Sequence, residues 1–343
     1  MRELTLSKLA EIMDGHLYPE EMGHIVATGV SIDSRKVKPG DIFFALRGSR
    51  FDGQSFIGDA TTMGARCAVV DSPPTEELNL PYIMVKDCIK GLGDIAAFHR
   101  ENFRASVIGV TGSLGKSTTK ELIGRILKKN YRTVVAEKSF NNFIGLPLTL
   151  LRVSSDTEYV VTEMGINRKG EMDRLIEIAS PDFAVVTSIA PVHTEGLGDL
   201  IGVAEEKLKL LYSLPPNSTA FLNGDDTNLR NLKRTPFCEV VYYGLGDINR
   251  VRGEVVEWGW DGIRFRVKSD EFKLPLLGKF WVYSALAAYA VGEHFGVPVD
   301  VMREIFHSFQ PMPGRMEVRK VGEVTIVDDS YNANPVSMKQ VLG

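Results

Sequence analysis

Cysteine is scarce: Cys67, Cys88 and Cys238 are the only three in 343 residues, and none is in C-x-x-C spacing. That excludes a disulfide framework and points to a reducing compartment with the thiols as packing residues. A surplus of one charge is missing too, with 40 basic against 44 acidic residues and a net charge of -4. With no block of like charges, the chain lacks the basic face that holds nucleic acid by phosphate neutralisation. No run approaches the roughly 18 apolar residues that cross a bilayer. The opening MRELTLSKLAEIMDG has charges at helical spacing and no small-residue cleavage site. It reads as an amphipathic helix, not a signal peptide. The expectation is a soluble, cytoplasmic protein with no nucleic-acid partner and no membrane insertion. Internal repeats and low-complexity segments are also absent.

What is present exceeds one ordinary core, and the length predicts two or three domains. Residues 1–95 carry short strands and turns. GVSIDSRKVKPGDIFFALRG places a strand around Ile42 to Leu46 after a Pro-Gly turn, and FIGDATTMGARCAVV reads as a helix running into a strand. From about 96 the texture changes. GLGDIAAFHREN is helical, RASVIGVTG a nearly continuous apolar strand, and KSTTKELIGRILKKN an amphipathic helix. Strands follow at TVVAE, EYVVTEMG and DFAVVTSIA, with a helix at EMDRLIEIA. Apolar strands alternating with helices predict an α/β fold whose parallel sheet is covered on both faces and binds ligands at the carboxyl ends of its strands. The stretch from VVYYGLGD to FRVKSDEFKLPL is strand-like, WVYSALAAYAVGEHFG a largely buried helix, and VTIVDDSYNANP a new strand and turn.

GVTGSLGKSTTKE, Gly109 to Glu121, lies between the apolar strand and the helix beginning near Lys116. Glycines there let the backbone turn its N–H groups toward an anion, and the helix N-terminus adds partial positive charge. Lys116 can reach terminal phosphates, and Ser117 and Thr118 offer hydroxyls to phosphate and magnesium. The spelling departs from G-x-x-x-x-G-K-[ST], because Val110 stands where the first glycine belongs. Glu163 ends the strand VVTEMG, and His193 follows the next strand in SIAPVHTEG. Each alone reads as a cap or loop residue. Together, beside phosphate oxygens, a carboxylate and a neutral imidazole suit a hard divalent ion. Lys207 in GVAEEKLKLL reads on chemistry alone as part of a charged helix face.

GVTGSLGKSTTKE resembles the G-x-T-G-[ST]-x-G-K-[ST]-[ST] loop of the Mur ligases. The resemblance implies that Gly112, Ser113, Gly115, Lys116, Ser117 and Thr118 cradle ATP. Glu163 and His193 match the positions that hold a second magnesium, with Ser117 serving the first. HTEGLGDLIGVAEEK resembles the segment that carries a carbamylated lysine, here Lys207, as a further magnesium ligand; the family's common Glu two residues on is Lys209. NNFIGLPLTLL resembles the segment lining the cleft, which implies Asn141 toward the nucleotide and Asn142 toward the substrate. SIDSRKVKPGDIFFALRG resembles the UDP-binding N-terminal domain and implies substrate contacts from Ser34 and Arg35, whose fork suits pyrophosphate. MPGRMEV followed by VDDSYNANP matches the far end, placing Arg315 on the ATP phosphates and Asp329 on the ribose. Asn332 and Asn334 would organise the turn or face the substrates.

The family's H-N-x-x-N-A-x-A-A near the adenine is replaced by FWVYSALAA, so Phe280 and Trp281 stand for the His-Asn pair and Ser284 for the second Asn. Trp281 then becomes the candidate to stack on the base. The resemblance implies three domains: a UDP-precursor domain at 1–95, a central P-loop-type ATPase domain at 96–312, and at 313–343 the opening strand of a dinucleotide-fold-like domain. Family chains run roughly another hundred residues, so this form is expected to bind the UDP precursor yet ligate poorly. The activity implied is ATP-dependent amide-bond formation in peptidoglycan precursor synthesis. Its substrates would be UDP-N-acetylmuramoyl-tripeptide and D-alanyl-D-alanine, its catalytic residues Lys116, Lys207, His193 and Arg315, and its state a monomer. Three alternatives stay open: a sister Mur ligase, a folylpolyglutamate-type ligase, and a nucleotide-binding module without ligase activity.

Overall fold

The computed structural model describes residues 1, 3–48, 51–75, 77–333 and 335–342. They form two compact units: Met1–Arg104 with Phe140–Asp156 and Glu177–Ser180, and Ala105–Ser139 with Thr157–Ile176 and Pro181–Gly343.

In the first unit, β1 (His16–Tyr18), β2 (Gly29–Ser31), β3 (Asp41–Phe44), β4 (Cys67–Val70) and β5 (Tyr82–Met84) form a sheet in the order β1-β5-β4-β3-β2. All neighbours are parallel except β1 on β5. Every residue of β3 and β4 is buried, which is why DIFF and CAVV lack the alternation of a half-exposed strand. The N-terminal helix is shorter than its sequence pattern. Leu4–Thr5 pairs with Val26–Ala27 as a strand, and the Thr5 hydroxyl accepts from the Lys8 N–H to start α1 (Leu6–Ile12). Asp87 caps α2 (Cys88–Glu101) by accepting from the N–H groups of Ile89 and Lys90 at 2.7 and 3.0 Å. Cys67 and Cys88 are buried and free, and burial pushes both thiols up to about 12, as expected of packing residues.

The second unit is built on nine strands: β6 (Ser106–Thr111), β7 (Thr133–Val135), β8 (Tyr159–Glu163), β9 (Phe183–Val186), β10 (Thr219–Asn223), β11 (Glu239–Gly244), β12 (Val251–Gly259), β13 (Gly262–Val267) and β14 (Asp270–Leu274). Their order is β14-β13-β12-β11-β10-β9-β6-β8-β7, parallel from β7 to β12 and antiparallel beyond. The chain leaves β6 toward β7 and β8 and then returns to β9 on its other side. That reversal opens the crevice where doubly wound sheets bind ligands, at the carboxyl end of β6. β10 had no clear signal in the sequence: TAFLN is five residues long, entirely buried, and therefore without periodicity.

The helix α3 (Lys116–Lys128) buries Leu122, Ile123, Ile126 and Leu127 on one face and ends with Arg125 and Lys128, which complement the negative end of its dipole. α4 (Glu171–Ala179) and α5 (Leu200–Tyr212) follow β8 and β9. α6 (Val282–His294) is buried nearly all round, and α7 (Val299–Ser308) covers the antiparallel end. Val110, Leu122, Phe221, Phe265, Leu286 and Phe306 belong to one core. β15 (Glu317–Val321) and β16 (Val324–Asp328) form a separate hairpin. The mixed α/β architecture with a central parallel sheet is the one the alternating pattern predicted. No helix among the described residues is long and apolar enough to cross a membrane.

Candidate functional site

The carboxyl edges of three adjacent strands carry the candidate residues of the second unit. Register places Glu163 opposite Val110 and Val186 opposite Thr111, so the ends of β8, β6 and β9 lie side by side. The loop after β6 turns at Gly112 (φ +142°) and Gly115 (φ +77°), the latter in the left-handed region as the N-cap of α3. Ser113 fastens the loop to the segment after β9. Its N–H donates to the Ser188 carbonyl at 2.8 Å, and its hydroxyl accepts from the Ala190 N–H at 2.8 Å. Ser188 Oγ in turn accepts from the Leu114 N–H at 3.1 Å. Ser113 is thus a scaffold residue of the loop, its hydroxyl committed to the protein.

Lys116 folds back and donates to the Gly112 carbonyl at 2.8 Å. Burial pushes its amine below the ordinary lysine value, opposed by the Glu163 charge and reinforced by that of Arg315. Arg315 donates from Nη2 to the Ser117 hydroxyl at 3.0 Å, and its buried Nε has no hydrogen-bond partner. Donors waiting beside a helix N-terminus fit a phosphate group. Thr118 is buried. Ser284 stands against the same loop, since a Cβ on Gly115 would come within 3.3 Å of its hydroxyl.

Glu163 is buried at the end of β8, and Lys207 is buried on α5, 1 % exposed. Burial holds the Lys207 amine well below its ordinary value, with Lys116 pushing the same way and Glu163 and Glu206 opposing. His193 is exposed, with φ +55°, and its carbonyl starts the turn Thr194–Leu197. Although the residue as a whole is exposed, partial desolvation of its ring, then the charges of Lys116 and Lys207, push its imidazole down toward the neutral form, against the Glu171 charge. Lys116, Glu163, His193, Lys207 and Arg315 therefore share one electrostatic neighbourhood.

Lys209, the charge reversal, faces elsewhere. Its amine lies 2.7 Å from Glu206 Oε2 and 2.6 Å from Asp173 Oδ2. Glu206 is buried, and its Oε1 accepts from the N–H groups of Gly170 and Met172 at 2.8 and 3.1 Å, capping the start of α4. Sequence reasoning missed this carboxylate because its partners lie more than thirty residues away. Restoring the family residue with Lys209→Glu would crowd three carboxylates, one of them buried. The melting temperature is expected to fall by about 4–8 °C with nucleotide affinity unchanged; thermal melts with and without ADP check this.

The remaining candidates are dispersed. Asp329 accepts from the Met316 N–H at 3.1 Å and so fastens the start of β15; burial raises its pKa. Trp281 is 7 % exposed and belongs to the core, against Phe280 at 4.9 Å, although its buried Nε1 has no partner. Asn332 is exposed, and Asn334 lies outside the described residues. Ser34, Arg35, Asn141 and Asn142 belong to the first unit. Ser34 is buried, whereas the Arg35 fork is occupied by Asp33 at 2.9 Å to each carboxylate oxygen. Asn142 accepts from the N–H groups of Ile144 and Gly145.

A glycine-turned loop at a helix N-terminus, at the reversal point of a parallel sheet, with a lysine and an arginine converging on it, defines an α/β nucleotide-binding protein of the phosphate-loop class. The comparisons with known proteins narrow the class. Residues 110–292 match the Mur ligase middle domain, and residues 26–100 match the family's catalytic domain. The chain belongs to the Mur ligase family. It is 36 % identical over its whole length to the UDP-N-acetylmuramoyl-tripeptide–D-alanyl-D-alanine ligase of Bacillus subtilis, spanning 75 % of that protein. It is 33 % identical to the ligase of the same name from Escherichia coli, over 98 % of this chain and 75 % of that one. Among solved structures it is similar to MurF of Acinetobacter baumannii, with a TM-score of 0.88 at 27 % identity over 99 % of this chain and 76 % of the other. MurF ligase of Thermotoga maritima in complex with ADP gives a TM-score of 0.78 at 29 % identity over 92 % and 73 %.

Proposed function

We propose that the chain is an ATP-dependent ligase that joins D-alanyl-D-alanine to UDP-N-acetylmuramoyl-tripeptide in peptidoglycan precursor synthesis. It acts in the cytoplasm as a monomer. The observation that carries the chemistry is the convergence of Lys116, Arg315 and the buried Lys207 around Glu163 at one strand edge. The substrates rest on identity to ligases of that name along the whole chain.

A carboxylate is a poor electrophile and needs activation before an amine can attack it. ATP's γ-phosphoryl group passes to the tripeptide's terminal carboxylate, giving an acyl phosphate and ADP. The dipeptide amine then attacks the acyl carbon, forming the amide and releasing phosphate and a proton. Phosphoryl transfer between two anions calls for alignment and neutralisation more than for acid-base groups. Gly112, Ser113 and Gly115 shape the loop whose N–H groups face the phosphates. Lys116 leaves the Gly112 carbonyl to meet them, and Arg315 offers its unpartnered Nε. Thr118 lines the same turn. Asn141 and Asp329 are assigned to the nucleoside, and Ser34, Arg35 and Asn142 to the UDP precursor, with Arg35 exchanging Asp33 for pyrophosphate; Trp281, packed in the core, keeps no open face for stacking on the base. The proposed domains are 1–95 for the precursor, 96–312 for ATP and 313–343 for the start of the third.

The donor set also fits magnesium. Among the described residues no three His, Cys, Asp or Glu side chains form a ligand group, so Glu163 and His193 need a ligand of another kind. A depressed amine is the form that adds carbon dioxide, and Lys207 is depressed. Its nitrogen bonds the carbon, loses a proton and becomes an anionic carbamate. Glu163, His193, the Lys207 carbamate and Ser117 would hold the ions, which when bound supply charge neutralisation for the phosphates.

ADP formation and precursor binding, measured with UDP-muramoyl-tripeptide and D-alanyl-D-alanine against the precursors and amines of the sister ligases, test the reading. Preference for this pair is expected. Equal or greater use of another pair would overturn the choice.

A further inference from the structure

Lys120, one turn beyond the phosphate loop on α3, is 0 % exposed and plays no part in the chemistry above. An ammonium in such a place is costly unless its donors are satisfied, and an apolar side chain would fill the space at less cost. All three N–H donors have acceptors: the Ala136 carbonyl at 2.7 Å, the Lys138 carbonyl at 3.2 Å and Glu121 Oε2 at 3.3 Å. Two of these belong to the turn after β7, where Lys138 has φ +44°. The next residue, Ser139, is hydrogen-bonded through its hydroxyl to the phenol of Tyr331. The Tyr331 ring lies under the Arg315 guanidinium, with Cζ 4.2 Å from the centroid, and its N–H donates to the Gly314 carbonyl at 3.0 Å. Arg315 then returns to α3 through Ser117. The contacts close a ring: α3, the turn, Ser139, Tyr331, Arg315 and α3 again.

We propose that Tyr331 and Lys120 are positioning residues for Arg315: Tyr331 stacks against the guanidinium, and Lys120, by fixing the Ala136–Ser139 turn, holds the hydroxyl that anchors Tyr331. Arginine's long side chain has several rotamers to lose, and a ring on one face with a hydroxyl at one end leaves few. The guanidinium is thereby held with Nε free for a phosphate oxygen. The inference rests on the reading of Arg315 as a phosphate ligand.

The test is a double-mutant cycle in the full chain, read as the dissociation constant of a non-hydrolysable ATP analogue, with thermal melts to confirm folding. Arg315→Met is expected to weaken binding about 30-fold, as loss of a charge-assisted contact does. Tyr331→Leu should weaken it about 3- to 10-fold, with Tyr331→Phe intermediate because it keeps the ring and loses the anchor. In the Arg315→Met background, Tyr331→Leu should change affinity by less than about twofold, the margin within which independent effects add. Lys120→Met should repeat this pattern and Lys120→Arg soften it. Since Lys120 is buried and its variant can fail to fold, the half-exposed Tyr331 carries the decision. If Arg315→Met leaves analogue affinity unchanged, the phosphate-ligand reading fails. If Arg315→Met weakens binding but Tyr331→Leu has no effect, or the same effect in both backgrounds, the positioning role is overturned while that reading stands.

Discussion

Lys207→Met is expected to slow precursor-dependent ADP formation about 100- to 1000-fold while raising the melting temperature. Methionine nearly matches the lysine stem in volume, so the core of α5 is kept and only the amine is lost. The two effects have one origin. Burial and the neighbouring Lys116 charge hold the folded-state pKa of Lys207 well below the 10.5 it recovers on unfolding. Between those two values the unfolded chain binds the extra proton, so stability rises with pH across that window and the penalty is complete below it. In carbon-dioxide-free buffer the wild-type melting temperature should therefore climb toward pH 10, and Lys207→Met should start higher and climb less. Added bicarbonate should stabilise the wild type and leave the variant unmoved. Melts across pH, with and without bicarbonate, check this; a variant that melts lower, or retains ADP formation, contradicts it.

Gly112→Ala should abolish nucleotide binding through the backbone alone. At φ +142° a side chain is strained whatever the space around it, and here the space is taken as well. The new Cβ would stand 2.0 Å from Thr187 Oγ1 and 3.0 Å from the backbone nitrogens of Thr187 and Ser188. Thr187 cannot simply turn away, because its hydroxyl donates to the Leu114 carbonyl at 2.5 Å and ties the loop to β9. The loop must move, and the carbonyl on which Lys116 rests moves with it. A destabilisation of about 3 kcal/mol is expected, a fall of about 6–12 °C in melting temperature. ADP should then give no thermal stabilisation. Retained ADP affinity would mean that the loop tolerates a second conformation.

Most of this neighbourhood was legible because its chemistry is local in sequence. The glycines, Lys116 and the hydroxyls fall within seven residues, and Glu163 and His193 follow apolar strands whose parallel pairing fixes which edge they share. The alternation of strands and helices made the α/β class readable for the same reason. What escaped depends on partners chosen by the fold. Lys209 read as a charge reversal where the family commonly has Glu, yet its amine is taken up by Asp173 and Glu206. Asp33 fills the Arg35 fork, and the pair was legible only as one free arginine. β10 and α7 went unread: the first is buried on both faces and has no period, and the second lies between segments of more obvious character. Lys120 read as one more lysine on an amphipathic helix, because nothing local reveals that two carbonyls sixteen and eighteen residues away will meet it.

The bond between Arg315 and Ser117 joins residues 198 positions apart. On the ribosome the phosphate loop, its helix and most of the sheet can therefore assemble long before the arginine is synthesised. The contact is among the last to form, and the sheet already in place brings its two ends near one another, so little loop entropy is left to lose when it closes. A nascent chain thus has the shape of the pocket before it has its full grip, and tight ATP binding becomes a late event in its folding.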